Sequence, residues 1–141
     1  FIGTLQALDE ESIQKVETAR RERGPAFITA EEYVDLRRAI TERLSLFDAI
    51  IVDDLTIWVS NMMMTGHSDE ETEAEFARLL ETAAGSKVEV VFVMSDVDFG
   101  FPMDGEESRR FRRLAGLINR LAAEAASRLY WMVFGVPKRI R

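Results

Sequence analysis

IIVDDLTIWVSNMM, residues 50–63, is the stretch that decides the fold. With Ala49 it opens on a short continuous apolar run, AIIV over residues 49–52, of the kind carried by a strand buried on both faces. The run ends on two carboxylates, Asp53 and Asp54, and from Leu55 to Met64 the pattern turns helical and strongly apolar. A strand that ends in acid and leads into a helix is half of a βα unit. An acid at its C-terminus stands at the edge where open α/β sheets bind ligands. Successive strand residues face opposite ways, so only one of the two carboxylates is expected to reach such a site. The same residues suit an acidic turn after a buried strand equally well.

Toward the N-terminus, residues 1–4 (FIGT) read as a short strand. Asp9 then N-caps a helix with Glu10 and Glu11 in its first turn and Arg20, Arg21 and Arg23 in its last, charges that suit the helix dipole at both ends. Gly24-Pro25 stops it. Thr29 and Glu32 have capping-box spacing and predict a second helix, with Tyr33, Leu36, Ile40 and Leu44 as its apolar stripe. Toward the C-terminus, Gly66-His67 is a break. Ser68 and Glu71 form a further capping box and open a helix that buries Phe76, Leu79, Leu80 and Ala83 and ends at Gly85. VEVVFVM, residues 88–94, is the clearest strand, followed by a loop over 95–105 containing Gly and Pro. A long helix over 107–126 turns Phe111, Leu114, Ala115, Ile118, Leu121, Ala122 and Ala125 inward, and residues 129–134 form the last strand. Helices alternating with apolar strands predict an α/β fold with a mostly parallel sheet. No repeat or linker interrupts it, so residues 1–141 are read as one domain.

Composition narrows the partners. The 141 residues are 47% hydrophobic and 30% charged, ordinary for a globular protein. The net charge of −7 offers no general attraction to nucleic acid or anionic lipid. The absence of cysteine removes disulfides, thiolate catalysis and Cys-based metal sites, and is compatible with cytoplasm. Apolar runs are strand-sized, so no membrane span is expected, and no secretory signal pattern opens the chain.

Three segments could carry chemistry. Asp53 is the candidate at the strand end. In folds with a phosphate-binding loop, an acid in that place holds Mg2+, usually through water. Ser95 to Pro102, including Asp96, follows the second strong strand and suits a ligand loop or any βα turn. RRFRRLAGLIN, residues 109–119, brings Arg109, Arg112 and Arg113 near a helix N-terminus, where arginines bind phosphate or stay solvated. Gly116 inside that helix costs about 1 kcal/mol against Ala and is expected to permit a close contact. His67, the one histidine, lies in a polar turn and reads as surface. Met62, Met63 and Met64 read as core or subunit contact.

Together these segments resemble the bifunctional adenosylcobinamide kinase/adenosylcobinamide-phosphate guanylyltransferase family. Its pattern D-C-L-T-x-W-x-x-N stands here as Asp53, Asp54, Leu55, Thr56, Trp58 and Asn61. Its later N-E-V-G-x-G-I-V-P and R-x-F-R-D-x-x-G-x-x-N are matched by Val97, Gly100, Arg109, Phe111, Arg112, Gly116 and Asn119. FIGT resembles the family's second strand, Y-I-A-T, and Gly135-Val136-Pro137 its closing G-x-P.

The resemblance implies a three-layer P-loop NTPase (RecA-like) fold, here lacking the first strand and its G-x-R-S-G-K-S phosphate loop. It implies Mg2+ with GTP or ATP as cofactors, held on the Asp53 side, and a cobinamide-like small-molecule substrate. It also implies a cytoplasmic homo-oligomer, with a trimer the form implied. Asp96, Arg109, Arg112 and Asn119 become candidates for substrate or phosphate contact. Departures fall near the chemistry. Ala19 stands at the register of the family's guanylylated histidine, Ser95-Asp96 replaces Asn-Glu, Asp98 replaces Gly, Arg113 replaces Asp and Asp54 replaces Cys. The expected function is a nucleotide-dependent transferase of cobalamin biosynthesis without guanylyltransferase activity. The alternative is a non-catalytic binding or assembly module of the same descent. Chain opening at Phe1 leads to one more expectation. The strand that carries the phosphate loop belongs beside residues 49–52, and about one βα unit, roughly 30 residues, another chain or a rearranged strand should fill that slot.

Overall fold

A computed structural model describes residues 1–97 and 105–141. Asp98 and Gly100, named above, lie outside the described residues. The element order is β1 (Ile2–Gly3), α1 (Glu10–Arg23), β2 (Ala30–Glu31), α2 (Leu36–Thr41), β3 (Ala49–Asp53), α3 (Leu55–Met64), α4 (Asp69–Ala84), β4 (Glu89–Phe92), α5 (Glu106–Ala125), β5 (Tyr130–Val133) and β6 (Val136–Arg139). Four strands form a parallel sheet in the order β2-β1-β3-β4. This is the expected α/β class with a parallel sheet flanked by helices, consistent with a P-loop NTPase-like fold.

Local chemistry explains most element ends. Asp9 caps α1 by accepting from the Ser12 N–H at 2.7 Å, and Gly24 closes it. Ser68 and Glu71 close a reciprocal capping box at the start of α4. The expected helix start at Thr29 is not formed. Ala30 and Glu31 instead pair with Ile2 and Gly3 as β2, and the Glu32 carboxylate accepts the N–H groups of Tyr33, Val34 and Asp35 at 2.9–3.0 Å. The helix begins later, capped by Asp35. A capping-box spacing cannot reveal that a parallel neighbour claims the preceding backbone.

Two further expectations are corrected. β3 is not buried on both faces: Ile50 and Val52 are buried, while Ala49 and Asp53 are exposed. The last apolar run does not join the main sheet. β5 folds back on β6 as an antiparallel hairpin, turning at Phe134 and Gly135, both with positive φ as a tight two-residue turn requires. The slot beside residues 49–52 is filled only in part, because β1 reaches Val52 while Ala49 and Ile50 line a cavity. Val52 pairs with Ile2 of β1 on one side, and residues 49–52 pair with 89–92 of β4 on the other. Among the described residues, the strand edges without a partner in this sheet are the outer edges of β2 and β4.

One apolar cluster holds the sheet and four helices. Ile2, Ile50 and Val52 join Leu36 and Ile40 of α2, Leu55, Trp58, Val59 and Met62 of α3, Phe76 and Leu79 of α4, and Leu114, Ala115, Ile118 and Ala122 of α5. Gly116 is buried with them. Met62 is buried but Met64 is 75% exposed, so the methionine run spans core and surface. α1 contributes no buried residue. Phe76 sits at the centre, 5.9 Å from the Trp58 ring and 6.1 Å edge-on from the Phe92 ring, and so links α4 to α3 and to β4. Phe76→Ala should therefore cost about 3–5 kcal/mol in urea unfolding followed by tryptophan fluorescence. A loss under about 1 kcal/mol would mean the three elements do not share this core.

Candidate functional site

The β3–α3 junction is locked by short bonds that all involve motif residues. The Thr4 hydroxyl, fully buried, donates to the Asp54 carbonyl at 2.8 Å and accepts the Asp54 N–H at 2.9 Å. The Thr4 N–H donates to the Asp53 carbonyl. Asn61 Nδ2 donates to the carbonyls of Thr4 and Tyr33 at 2.9 and 3.0 Å, and Trp58 Nε1 to that of Val34 at 2.8 Å. Thr56 Oγ1 accepts the Ser95 N–H at 2.8 Å. The ends of β1, β3 and β4 and the loop before α2 are thereby fixed to one helix, α3.

This frame gives the two carboxylates different work. Asp53 and Asp54 are joined by a cis peptide bond. The Asp54 carboxylate is the N-cap of α3 and accepts the Ile57 N–H at 2.6 Å. No hydrogen bond or ion pair to the Asp53 carboxylate is found among the described residues. Burial raises the Asp53 carboxyl above its ordinary value, the Asp54 charge raises it further, and the Arg23 guanidinium partly opposes both.

Asp53 lines a cavity of about 210 Å³ at the C-terminal edge of the strands. The opposite wall is α1, which offers Lys15, Val16, Ala19 and Arg23, and Phe1, Gly3, Glu31 and Ile57 complete much of the rest. A larger cavity of about 630 Å³ is lined by Phe27, Leu46, Phe47 and Asp48 and lies at the strand N-termini, the edge that open α/β sheets do not use for ligands. The smaller one is therefore the candidate site.

The structure brings Asp53 and Ala19 to one cavity, with Asp54 also in its lining, and leaves Asp96, Arg109, Arg112 and Asn119 outside it. Asp96 is exposed just past β4, and Arg109 is exposed on the first turns of α5. Arg112 Nε donates to the Val97 carbonyl at 3.2 Å, and Asn119 Nδ2 to the Ser95 carbonyl at 3.0 Å. Both thus hold the backbone that follows β4. His67 Nδ1 lies 3.0 Å from Thr65 Oγ1 and 3.2 Å from the Met62 carbonyl, which makes it part of the α3–α4 turn. Sequence reasoning missed Lys15 and Arg23 as cavity residues. Their spacing from Ala19, four residues either way, was the available signal, because i, i+4 and i+8 stay near one helix face. Among the described residues no helix is long and apolar enough to cross a membrane.

Comparison with known proteins identifies the family of the chain. The sequence profile of the family described as cobinamide kinase / cobinamide phosphate guanyltransferase matches residues 1–140. The chain is 28% identical to the bifunctional adenosylcobalamin biosynthesis protein CobU of Salmonella typhimurium, over 100% of this chain and 84% of that protein. It is 24% identical to the protein of the same name in Escherichia coli, with the same coverage. It is 26% identical to the bifunctional adenosylcobalamin biosynthesis protein CobP of Pseudomonas aeruginosa, over 100% of this chain and 81% of that protein. With a match that runs over nearly its whole length, the chain belongs to the cobinamide kinase / cobinamide phosphate guanyltransferase family.

Proposed function

We propose that this protein is a nucleotide-dependent phosphotransferase acting on the hydroxyl of a cobinamide-like alcohol, without the guanylyl-transfer step. The observation that carries the reading is the Asp53 carboxylate, which lines the cavity at the strand end without a hydrogen-bond partner among the described residues, while Asp54, also in the lining, is engaged as a helix cap. Mg2+ keeps most of its water and takes one or two carboxylates together with substrate phosphates. A single unbonded carboxylate suits that role. No group of three metal-ligating side chains occurs among the described residues, so the ion is expected to arrive with its nucleotide. When bound, it supplies neutralisation of the charge on the transferring phosphoryl group. The chain's own part is to hold Asp53 in place through Thr4, Asn61 and Trp58 and to close the cavity with α1. Ala19 also lines that cavity, and a methyl group cannot form a phosphoramidate.

Asp53→Asn should abolish Mg2+-dependent nucleotide binding in calorimetry and phosphate transfer to cobinamide. Asp54→Asn, which keeps a capping side chain, should lower both only modestly. Equal losses in the two variants would break the assignment, and a parent protein that binds nucleotide but transfers nothing would favour a binding module.

The same carboxylate sets a pH dependence. Its folded value is raised by burial, so the ionised form is penalised in the fold. The penalty is full at neutral pH, fades as pH falls through the raised folded value and is gone below the unfolded one. Asp53→Asn should therefore raise the melting temperature at neutral pH, with the gain shrinking toward acid. A constant gain at all pH values would assign the effect to packing instead.

Incubation with labelled GTP should leave no acid-labile label on residues 10–23. Stable label on that helix would show a nucleophile other than the one Ala19 replaces.

A further inference from the structure

Arg23 is a charged group of the cavity that the proposed chemistry leaves unused. It lies in the last turn of α1, and its guanidinium carbon stands 3.6 Å from the centroid of the Phe1 ring. Its Nε is buried and has no hydrogen-bond partner. No carboxylate among the described residues forms an ion pair with it. Lys15, the other cation of the lining, is different: its ammonium is paired with Glu11 at an exposed i, i+4 position. Elsewhere arginines in partly covered positions are satisfied, as Arg110 is by Asp69 and the His67 carbonyl.

A buried N–H without a partner is rare in native proteins and asks for a cause. Stacking on Phe1 supplies attraction to the face of the guanidinium but satisfies none of its N–H groups, which lie in its plane. The stack therefore fixes the plane and leaves the donor edge to something else. Asp53 faces the same cavity, and the attraction of Arg23 is felt in its titration, yet the two do not close an ion pair. A planar fork of donors held in this way matches the oxygens of a phosphate, to which arginine bonds in bidentate fashion. The cavity of about 210 Å³ is smaller than the roughly 300–1,000 Å³ that encloses a drug-sized ligand, so it takes one group of a larger molecule rather than the whole. The small Ala19 side chain between Lys15 and Arg23 keeps that space open.

We propose that Arg23, stacked on Phe1, is the anion-binding group of this cavity and receives a phosphate monoester of the ligand opposite Asp53. This deepens the proposed function by assigning the site a phosphate subsite. The phosphate could reach it on a nucleotide or on a phosphorylated amino alcohol, and the chemistry at Arg23 is the same.

Calorimetric titrations with GMP, guanosine and 1-amino-2-propanol O-phosphate test the proposal on the parent protein, Arg23→Gln, Arg23→Lys and the exposed control Arg20→Gln. Loss of a charge-assisted bond worth about 1.5–3 kcal/mol should weaken binding of the phosphorylated probe about 10- to 100-fold in Arg23→Gln. Arg23→Lys should recover only part, because an ammonium is not a bidentate fork, and Arg20→Gln should bind as the parent does. A loss confined to GMP assigns the subsite to the nucleotide, and a loss confined to the amino alcohol phosphate assigns it to the substrate. The proposal is overturned if the parent binds neither phosphate, if Arg23→Gln binds them unchanged, or if guanosine weakens as much as GMP, which would mark a structural role. Melting curves check folding, and Arg23→Lys carries the test if the glutamine variant does not fold. Phosphate binding that depends on Arg23 in a protein without kinase activity would keep this subsite and sink the transfer reading. Transfer with an unchanged KM in Arg23→Gln would do the reverse.

Discussion

The paired hydrogen bonds between the Thr4 hydroxyl and the Asp54 backbone are the constraint on which the rest of the site depends. A side-chain hydroxyl that both donates to and accepts from one residue fixes that residue in position and orientation. Thr4 directly follows β1, so the bond also ties the first strand to the start of α3. Asn61 repeats the device one level out, spanning the Thr4 and Tyr33 carbonyls with a single amide. These donors and acceptors are partly or fully buried, where leaving any one unmet costs about 1–3 kcal/mol. The frame is therefore an all-or-none arrangement, and the direction of the Asp53 carboxylate follows from it.

The frame explains why adjacent acids behave as different reagents. Asp54 gives its charge to the first turn of α3, where the helix N-terminus favours it. Asp53 has no such partner, and burial and its neighbour's charge raise its carboxyl against only partial opposition from Arg23. The fold thus keeps one carboxylate satisfied and one poised, two states reached from identical side chains by backbone position alone.

Much of this was legible in residue order. The strand–acid–helix stretch over residues 50–63 is present as read, but period-two logic does not separate the two acids, because Asp53 and Asp54 both line the cavity and differ in that Asp54 caps α3. Asp9, Ser68 and Glu71 marked helix starts because capping is local chemistry. What failed was non-local. Thr29 and Glu32 have the spacing of a cap, yet the backbone between them was claimed by β1, twenty-eight residues earlier in register. The run at 129–134 looked like another parallel strand because Phe134-Gly135 is a weak turn signal, and only pairing with Val136–Arg139 reveals the hairpin. Thr56, Trp58 and Asn61 were readable as a motif but not as a set of clamps, since their partners are backbone atoms that no sequence pattern names. Arg23 was hidden for another reason: a basic residue in a last helical turn is what the dipole alone would favour.

α1 carries the inner wall of the cavity while contributing no buried residue to the core. Its inward positions are thus released from the packing rules that govern α3, α4 and α5. A change at residue 19 should therefore alter the cavity lining with little effect on the folding free energy. Selection on reactivity and selection on stability act here on separate parts of the chain, so gain or loss of a nucleophile on this helix is a nearly neutral step for the fold.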